Sequence, residues 1–488
     1  MILRSVTVMA SLTMTAPPPI ALLAPGVTWT RNDFGKAPSA PWTVTVRPAF
    51  GSRATAEAHL RNLKARGLNG VMREVRTPAA LDMAPRRLGY SVRVGHFRTA
   101  AKAKALAQKL SKPTKNARAL NSAPEPLAAD GSPTSGPWRI HILRADPGRV
   151  RITTGRSTAR PETVRAMSKG ALAGVNGGFF LIGSAIPGDP VGALIENGTL
   201  LSSDKGRRSA LLLQGLDASV TELYARLKIR PPGEKARGTG LNALPGKNSV
   251  VAFTHEYGAA LPRVPSREVL IDRDTQTVQS TWTRDRTRRG STVPTGKILL
   301  QGTGTGAAWL AAHTPRGRTL SIYAKVTDRR TGLPVPMLPG TYAVGGNVTL
   351  VRNGRVELNA GSSSVAARPG PFYAMVMRRG PRTMAGIDAQ GRILLVTVDG
   401  RSPHSAGMTL PEGAALMRRL GATDAVNLDG GGSTTMVVRG HVVNEPSDQH
   451  ERKVGSAVLV TRDQAPSQRA VRMSTRPPSD LSGVPSSR

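Results

Sequence analysis

The chain has 488 residues, no cysteine and a net charge of +37 from 68 Lys and Arg against 31 Asp and Glu. The lack of cysteine excludes disulfides, a thiolate nucleophile and cysteine-ligated zinc. The charge favours a polyanionic partner, which can be nucleic acid, anionic lipid or an anionic wall polymer. The basic residues are scattered singly, so a basic composition without a binding groove explains the charge equally well. With aromatics at 4%, we do not expect a base-stacking surface for nucleic acid.

Residues 1–30 have the length and character of a secretory signal or leader. Arg4 precedes a moderately apolar stretch from Val6 to Leu23, and Ala24 lies near the expected cleavage point. A triple proline interrupts this stretch, so a disordered leader or a misassigned start remains an alternative. No other stretch reaches the roughly 18 apolar residues that a membrane span needs. We therefore expect export and no transmembrane span.

Residues 41–121 carry the pattern of a small α+β module. The predicted strands cover 42–47, 70–75, 90–97 and 117–120, and the predicted helices cover 54–66 and 99–110. The order βαββαβ within about 80 residues is that of a split βαβ unit.

The motif Tyr90-x-Val-x-Val-Gly95-x-Phe97, followed by an alanine-rich helix, resembles the SPOR domain. This bacterial module binds peptidoglycan glycan strands that have lost their peptides. The resemblance implies attachment to the bacterial cell envelope. The same topology also occurs in RNA-binding proteins, but few aromatics are available for an RNA-reading sheet. A module with a purely structural role is the remaining alternative.

The remainder of the chain divides into three parts. Residues 122–137 form a linker rich in Pro, Gly and Ser, and residues 464–488 are typical of a disordered tail. Between them, residues 138–463 alternate β-type runs with turn signals such as Asn197-Gly198 and Asn353-Gly354. We predict an α+β fold, in which a β-rich mixed-sheet domain accompanies the small N-terminal module.

The stretch Asn427-Leu-Asp429-Gly-Gly-Gly432 follows an apolar run and precedes two hydroxyl residues. Such a loop suits a polyoxygenated or phosphorylated ligand, although a glycine-rich bulge between strands is an alternative. A strand ending before Asp399 and a helix from the capping box Thr409-x-x-Glu412 precede it. Strand, helix and strand in under about 40 residues predict a crossover with parallel strands. Asp399 and Asp429 should then face one cleft at the same sheet edge.

A second strand end, Asn176-Gly177-Gly178, repeats the pattern of an amide followed by glycines, although it also fits an ordinary strand exit. Asp189 lies in a tight turn, and Arg208 and Arg382 each lead a strand, as suits bidentate contact with phosphate.

Taken in order, these motifs resemble the phosphodiester glycosidase family over residues 138–461. The shared motifs are Asn176-Gly-Gly-Phe-Phe, Gly188-Asp-Pro-Val-Gly, Arg382-Thr, Val398-Asp-Gly-Arg401, Ser405-Ala-Gly-Met-Thr-Leu, Asn427-Leu-Asp-Gly-Gly-Gly-Ser-Thr-Thr-Met-Val and Asn444-x-Pro-Ser447. The family's animal member uncovers mannose 6-phosphate by removing N-acetylglucosamine from a phosphodiester. The resemblance implies hydrolysis of a sugar-1-phosphodiester at the anomeric carbon.

Glycosidases normally use two carboxyl groups. A phosphate monoester leaves readily because its second pKa is about 6, so cationic donors can replace the acid. We expect Asp429 to act as base or nucleophile, with Asp399 as its partner. The residues expected to bind substrate are Asn176 and Asn427 for sugar hydroxyls, Arg208 and Arg382 for phosphate, and Gly177, Asp189, Arg401, Gly430, Gly431, Ser433 and Thr434.

The eight histidines form no HxxxH or HxH pair, so we expect no histidine-ligated metal and no cofactor. A divalent cation held by Asp429 or Asp189 remains an alternative. The expected partners are peptidoglycan glycan strands and a wall polymer or glycan that contains sugar phosphate, with no nucleic acid. The competing hypothesis is a non-catalytic wall-binding protein with a lectin-like cleft.

Overall fold

The structure is a computed structural model of the chain. It describes residues 20–36, 39–77, 84, 86–126, 136–183, 187–204, 206–285, 291–360 and 372–462. Most of the predicted leader (1–19) and the predicted tail (464–488) lie outside the described residues. Within the described ranges, no helix is long and apolar enough to cross a bilayer.

The first part of the chain forms a hairpin and then a small α+β module. Its elements are β1 (Ala21–Ala24), β2 (Val27–Phe34), β3 (Trp42–Gly51), α1 (Arg53–Lys64), β4 (Gly70–Arg76), β5 (Arg87–Phe97), α2 (Ala100–Leu110) and β6 (Ser122–Pro126).

From β3 to β6 the chain has the βαββαβ order that the sequence predicts. Its antiparallel sheet has the order β4-β5-β3-β6 and shares a core with both helices. Ser52 and Thr99 cap the helices by accepting backbone N–H groups at 3.1 and 3.3 Å. The prediction for the last strand was wrong, since β6 lies at Ser122–Pro126. The first five residues of the predicted linker thus belong to this sheet.

The C-terminal part is rich in strands. Its strands are β7 (Trp138–Ala145), β8 (Val150–Thr153), β9 (Ala173–Asn176), β10 (Leu194–Glu196), β11 (Thr199–Ser202), β12 (Ser209–Gln214), β13 (Asp217–Arg230), β14 (Arg237–Leu241), β15 (Val250–Thr254), β16 (Ser266–Asp272), β17 (Val278–Arg284), β18 (Lys297–Gly302), β19 (Ser321–Asp328), β20 (Thr341–Gly345), β21 (Thr349–Arg352), β22 (Arg355–Val356), β23 (Arg382–Asp388), β24 (Ile393–Val398), β25 (Ala422–Asn427), β26 (Met436–Val438), β27 (His441–Val442) and β28 (Ala457–Val460). Its helices are α3 (Val164–Met167), α4 (Thr305–His313) and α5 (Leu410–Arg419), and Tyr373–Met377 form a π-helical turn.

These strands form three sheets, which confirms the β-rich α+β fold. One has eight strands in the order β1-β2-β7-β24-β23-β25-β21-β22. A second has eleven strands, namely β11-β10-β20-β12-β13-β14-β15-β18-β16-β17 with β19 paired to β13. The third has the order β27-β26-β9-β28-β8.

The hairpin of β1 and β2 belongs to the eight-stranded sheet. β2 pairs with β7 in a register that sets Phe34 opposite Trp138. The small module is therefore inserted between two neighbouring strands of this sheet. Residues 21–30 lie within the predicted leader but form a strand hairpin here, because their apolar side chains pack against the same core as β7.

The predicted crossover is present, but its two parallel strands, β24 and β25, are separated in the sheet by β23. β24 and β25 are both antiparallel to β23, so they run parallel to each other on either side of it. The helix between them begins with the predicted capping box of Thr409 and Glu412. Val398 pairs with Arg382 and Asn427 pairs with Met384. Asp399 and Asp429 therefore follow strands that end at the same edge of the sheet.

One hydrophobic core joins the three sheets and fixes the strand ends that surround this edge. It contains buried side chains from each sheet, among them Val175, Val344, Leu395, Val426 and Val458. Because these strands share a core, the loops after β9, β20 and β25 converge.

Candidate active site

The loop after β25 is held by two asparagines from neighbouring strand ends. Asn176 donates from Nδ2 to the backbone oxygen of Asp429 at 2.8 Å. Its Oδ1 accepts from the Thr383 hydroxyl at 2.7 Å and from the Thr435 N–H at 3.2 Å. The amide of Asp429 donates to the Gly177 carbonyl at 3.2 Å. The structure therefore brings the two predicted strand ends together, and Asn176 holds both ends of the loop.

Asn427 is a second bracing residue. Its side chain is buried and donates to Asn347 Oδ1 at 2.9 Å and to the Leu428 carbonyl at 2.8 Å. A Cβ at Gly346 would lie 2.3 Å from the Asn427 backbone oxygen, so only glycine permits this approach. Asn427 and Asn176 are both buried and hydrogen-bonded to the backbone of this loop, and the sugar-hydroxyl role expected of them stays a prediction.

Close approach also explains the glycines that follow Asn176. A Cβ at Gly177 would lie 2.4 Å from the Ser456 hydroxyl, and one at Gly178 would lie 2.2 Å from the Gly345 carbonyl. These glycines allow three loops to meet beside Asp429. Gly177 acts through its backbone, because its amide donates to the Ser456 carbonyl at 2.8 Å.

Asp429 is partly exposed in this loop, and its carboxylate has an altered acidity. Burial raises the pKa of Asp429 to about 6, and this rise is partly offset by the nearby Ser433 hydroxyl, the Gly430 amide and the charge of Arg452. The Gly430 N–H donates to Oδ1 at 2.9 Å. A carboxylate with such a pKa can change protonation near neutral pH, as a general base or acid must.

The residues after Asp429 form a tight turn. Gly431–Ser433 make one turn of 3₁₀-helix, and the Gly431 amide donates to the Pro381 carbonyl at 2.9 Å. Gly431 has a φ of +62°, which favours glycine. Ser433 and Thr434 are buried, whereas Gly430 and Gly431 are half-buried beside Asp429.

Of the three predicted arginines, Arg401 lies against this loop and Arg208 lies at the neighbouring Gly346. Arg208 lies over the Phe179 ring at 5.8 Å and donates from Nη1 to the Gly346 carbonyl at 3.4 Å. The Arg401 guanidinium lies over Gly431, where an added Cβ would be 3.1 Å from Nη2. Neither has an acidic partner within ion-pair distance among the described residues. Burial lowers the pKa of both guanidiniums, and for Arg401 the charge of Arg378 lowers it further.

Arg382 differs from these two. It is buried and donates to the carbonyls of Met408 at 2.7 Å and Arg378 at 2.8 Å. Burial, together with the charge of Arg401, lowers the pKa of Arg382 to about 10. Its contacts are those of a brace between backbone segments, so the phosphate contact expected from the sequence is not supported by its position.

Asp399 occupies the same sheet edge but is only 1% exposed. Its Oδ1 accepts from Asn444 Nδ2 at 3.0 Å, and its Oδ2 accepts from the Glu445 N–H at 3.1 Å. His141 Nε2 lies 3.8 Å from Oδ2. The expectation that both carboxylates face one cleft therefore needs correction, because the segment at 444–445 covers Asp399 and uses both of its oxygens.

Asp189 is buried in a loop that pairs with residues 179–181. Its carbonyl accepts the Leu181 N–H at 2.9 Å, and the Val191 N–H donates to the Phe179 carbonyl at 2.7 Å. Burial, with the nearby charge of Asp189, raises the pKa of Tyr257 to about 12. Asp189 thus helps to hold the loop that carries Phe179. Because the Phe179 ring lies against the Arg208 guanidinium, this loop also helps to position Arg208.

Several residues of the site are absent from the sequence-based prediction. Asn444 donates to Asp399 and to the Thr434 carbonyl at 3.1 Å, and it accepts the Met436 N–H at 2.7 Å, which ties two loops together. Asn347 follows Gly345-Gly346, so the pattern of glycines beside an amide at a strand end could have identified it. The ion pair of Arg452 and Asp448 packs against Gly432, and only the contact could reveal it.

The described residues contain no group of three His, Asp or Glu side chains arranged to hold a metal ion. Asp429 and Asp189, the two residues considered for a divalent cation, lie in different loops. Asp429 meets amide, hydroxyl and cationic neighbours instead.

Comparison with known families gives two matches. A phosphodiester glycosidase model matches residues 269–461, and a SPOR domain model matches residues 38–118. Among curated proteins, N-acetylglucosamine-1-phosphodiester alpha-N-acetylglucosaminidase is 34% identical in Mus musculus over 116 residues and 33% identical in Homo sapiens over 113 residues. These matches cover 23% and 22% of this chain, and the chain spans only 22% of the length of each relative.

Among solved structures, a Burkholderia pseudomallei K96243 protein named "Putative exported protein" is 30% identical with a TM-score of 0.78, over 92% of this chain and 98% of that one. A hypothetical protein from Synechocystis is 16% identical with a TM-score of 0.56, over 89% of this chain and 77% of that one, and it shows similarity of fold.

Proposed function

We propose that the chain is an exported cell-envelope hydrolase that cleaves a sugar-1-phosphodiester at the anomeric carbon, since a phosphodiester glycosidase model matches residues 269–461 and a SPOR domain model matches residues 38–118. The family match, the SPOR match and the similarity to an exported protein support a secreted or envelope-bound, glycosidase-like protein of a bacterium. The substrate bond and the residue roles are part of the proposal.

The observation that carries the proposal is the environment of Asp429. Its pKa is raised to about 6, and the Arg401 guanidinium lies over Gly431 in its loop. Arg208 contacts the Gly346 carbonyl, and Gly346 packs against the Asn427 backbone oxygen; neither arginine has an acidic partner within ion-pair distance among the described residues. A phosphodiester substrate supplies the negative charge that these cations lack, while its sugar presents the anomeric carbon to a carboxylate. The arrangement therefore supports a reaction in which anion binding and one titratable carboxyl occur together.

In the proposed reaction, a water oxygen bonds to the anomeric carbon and the bond from that carbon to the phosphate oxygen breaks. Asp429 accepts the proton of the water, or else attacks the carbon first and is released by water. The phosphate monoester leaves with the bonding electron pair, and Arg208 and Arg401 stabilise its charge. Because phosphate is a good leaving group, a second carboxylic acid is not required.

Asp399 has a supporting role in this scheme. Its two oxygens hold Asn444 and the Glu445 amide, and Asn444 in turn holds the carbonyl of Thr434 in the loop of Asp429. We therefore treat Asp399 as a positioning residue.

A direct test measures the release of free sugar from a panel of α-sugar-1-phosphodiesters by the purified full chain. Asp429→Asn should lose at least about 10³-fold in kcat with KM little changed, because it removes the base or nucleophile. Asp429→Glu serves as the matched variant, since it keeps the charge and should retain more activity than the amide. Unchanged turnover by Asp429→Asn would contradict the assignment.

The burial of Asp399 favours a second candidate, a non-catalytic wall-binding protein whose cleft acts like a lectin site. This candidate predicts saturable binding of sugar phosphates, measured by calorimetry, with no sugar released from any member of the panel. Release of free sugar that depends on Asp429 would exclude it.

We further propose that the SPOR domain tethers the enzyme to peptidoglycan glycan strands. Since β2 and β7 are adjacent, replacing residues 36–136 by a short Gly-Ser turn removes the module while leaving both strands intact. This variant should cleave a small soluble phosphodiester like the full chain and should lose retention on isolated cell walls.

Salt separates a specific tether from attraction by the net charge of +37. The Debye length falls from about 10 Å at 0.1 M salt to about 3 Å at 1 M, so retention by charge should fade while a glycan-specific groove should hold. Equal retention of the deletion variant and the full chain on cell walls at both salt concentrations would contradict the proposed tether.

A further inference from the structure

One face of the β13–β19 ladder is strongly basic and lies outside the site described above. In β13, residues 223, 225, 227 and 229 are buried in the core. The alternate residues, Tyr224, Arg226, Lys228 and Arg230, therefore share the outer face, where successive side chains are about 7 Å apart.

The neighbouring strand continues this face. β19 pairs with β13 so that Thr327 lies opposite Tyr224, Lys325 opposite Arg226 and Tyr323 opposite Lys228. Directly opposite residues of antiparallel strands project to the same side of a sheet. Lys325 and Tyr323 are exposed, and a groove of about 550 Å³ is lined by Arg207, Tyr224, Lys325, Thr327 and Arg329.

The cations of this face outnumber the acids that meet them. Arg226 and Arg329 share Asp204 at 2.8 and 3.2 Å, and Arg207 pairs with Glu222 at 3.0 Å. Lys228 and Lys325 have no acidic partner within ion-pair distance in the described part of the chain. The face therefore keeps an excess of positive charge that a polyanion can neutralise.

Tyr224 organises these cations. Arg329, Lys228 and Arg226 lie 5.3, 5.7 and 6.0 Å from the centre of its ring. Cation–π contacts hold flexible charged side chains in place. They also occupy the ring, so it is not free to stack on a nucleic-acid base, which favours a partner recognised through its charge.

The basic face begins beside the candidate active site. Arg207 pairs with Glu222 at the edge of the face, whereas the next residue, Arg208, contacts the Gly346 carbonyl in the site. We propose that the β13–β19 face binds successive phosphodiester groups of an anionic wall polymer and leads it to the Arg208 side of the site. This inference rests on the proposed function, because it extends the substrate from a single phosphodiester to a phosphodiester-linked chain.

The test measures binding of the full chain to fluorescent poly(glycerol phosphate) by anisotropy. Lys228→Glu combined with Lys325→Glu should weaken binding about tenfold or more and reduce the dependence of log affinity on log salt by about two. The control combines Lys247→Glu with Arg316→Glu, which changes the net charge equally. Both of its residues are exposed, lie in turns outside the ladder and form no ion pair among the described residues. The control should bind like the wild type.

Equal weakening by both pairs would overturn the inference, since it would indicate attraction by net charge alone. Tighter binding of an oligothymidine of equal charge would also overturn it, in favour of a nucleic-acid surface. If the wild type cleaves a small phosphodiester but substitution of Lys228 and Lys325 does not change its affinity for the polymer, the inference fails and the proposed function stands. If polymer binding depends on both lysines but no substrate is cleaved, the binding surface stands and the proposed hydrolysis fails.

Discussion

Replacing Asp429 by Asn should stabilise the protein at pH 8 and leave its stability unchanged at pH 4. Burial raises the pKa of Asp429 from 3.8 to about 6. For an acid whose folded pKa is raised, the unfolded chain releases its proton first, so stability falls as pH rises from the unfolded to the folded pKa. The loss of folding stability caused by burying the charged carboxylate is therefore absent below about pH 4 and complete above about pH 7.

The size of this effect follows from the shift. A change of roughly two pKa units corresponds to about 3 kcal/mol, and screening by water at the partly exposed carboxylate reduces it to about 1–2 kcal/mol. Asn has the same shape, and its Oδ1 can still accept the Gly430 N–H. For a domain of this size we expect the melting temperature to rise by about 2–4 °C at pH 8.

The assay is thermal unfolding of the full chain, followed by circular dichroism between pH 4 and pH 8. Asp399→Asn is the matched control, because it makes the same chemical change in a carboxylate that accepts two hydrogen bonds. The new amide would place its NH₂ group next to one of the two N–H donors that the carboxylate now accepts. The free energy of unfolding of this variant should therefore fall by about 1–3 kcal/mol at pH 8. A gain for Asp429→Asn that is equal at all pH values, or a loss at pH 8, would refute the argument.

Three further predictions concern the site. If Asp429 acts in its ionised form, kcat/KM should rise with pH through about pH 6. Any residual activity of Asp429→Asn should not show this rise, and a pH-independent kcat/KM in the wild type would contradict the role of Asp429. Arg208→Met should raise KM for a phosphodiester substrate at least about tenfold, while Arg208→Lys should recover part of the affinity. Equal KM values for the wild type and both variants would contradict a contact between Arg208 and the phosphate. Gly346→Ala should lower the free energy of unfolding by about 2–4 kcal/mol, because its Cβ would lie 2.3 Å from the Asn427 carbonyl. Gly246→Ala, where the nearest atom is 3.8 Å away, should change stability little in the same denaturant titration, and similar losses for both would refute the steric argument.

The sequence by itself determined the features that depend on neighbouring residues. Asn197-Gly198 and Asn353-Gly354 have positive φ at both positions, as their dipeptides predict for tight hairpins. The capping box at Thr409 and the parallel direction of the strands on either side of α5 were likewise predictable, because helix starts and short crossovers follow from local chemistry and chain length. The family motifs belong to the same class, since each is a short contiguous run.

Only the tertiary structure decided which strands pair across long stretches of chain. β23 lies between the two arms of the crossover, and β2 pairs with β7 across the inserted module. Pairing of this kind depends on a shared core built from residues far apart in sequence, so no local pattern specifies it. Pairing of this kind also accounts for the strands that lie within the predicted leader and the predicted linker.

The tertiary structure also separated residues that look alike in the sequence. Asp399 and Asp429 both follow β strands at one sheet edge, but the segment at 444–445 covers the first and leaves the second partly exposed. Arg382 and Arg208 both lead strands, but Arg382 is buried and donates to two backbone carbonyls, whereas Arg208 is partly exposed and donates to one. Exposure and charge depend on what packs against a side chain, and for these residues the packing partners come from distant loops, which is why the sequence could name the chemical groups but not assign their roles.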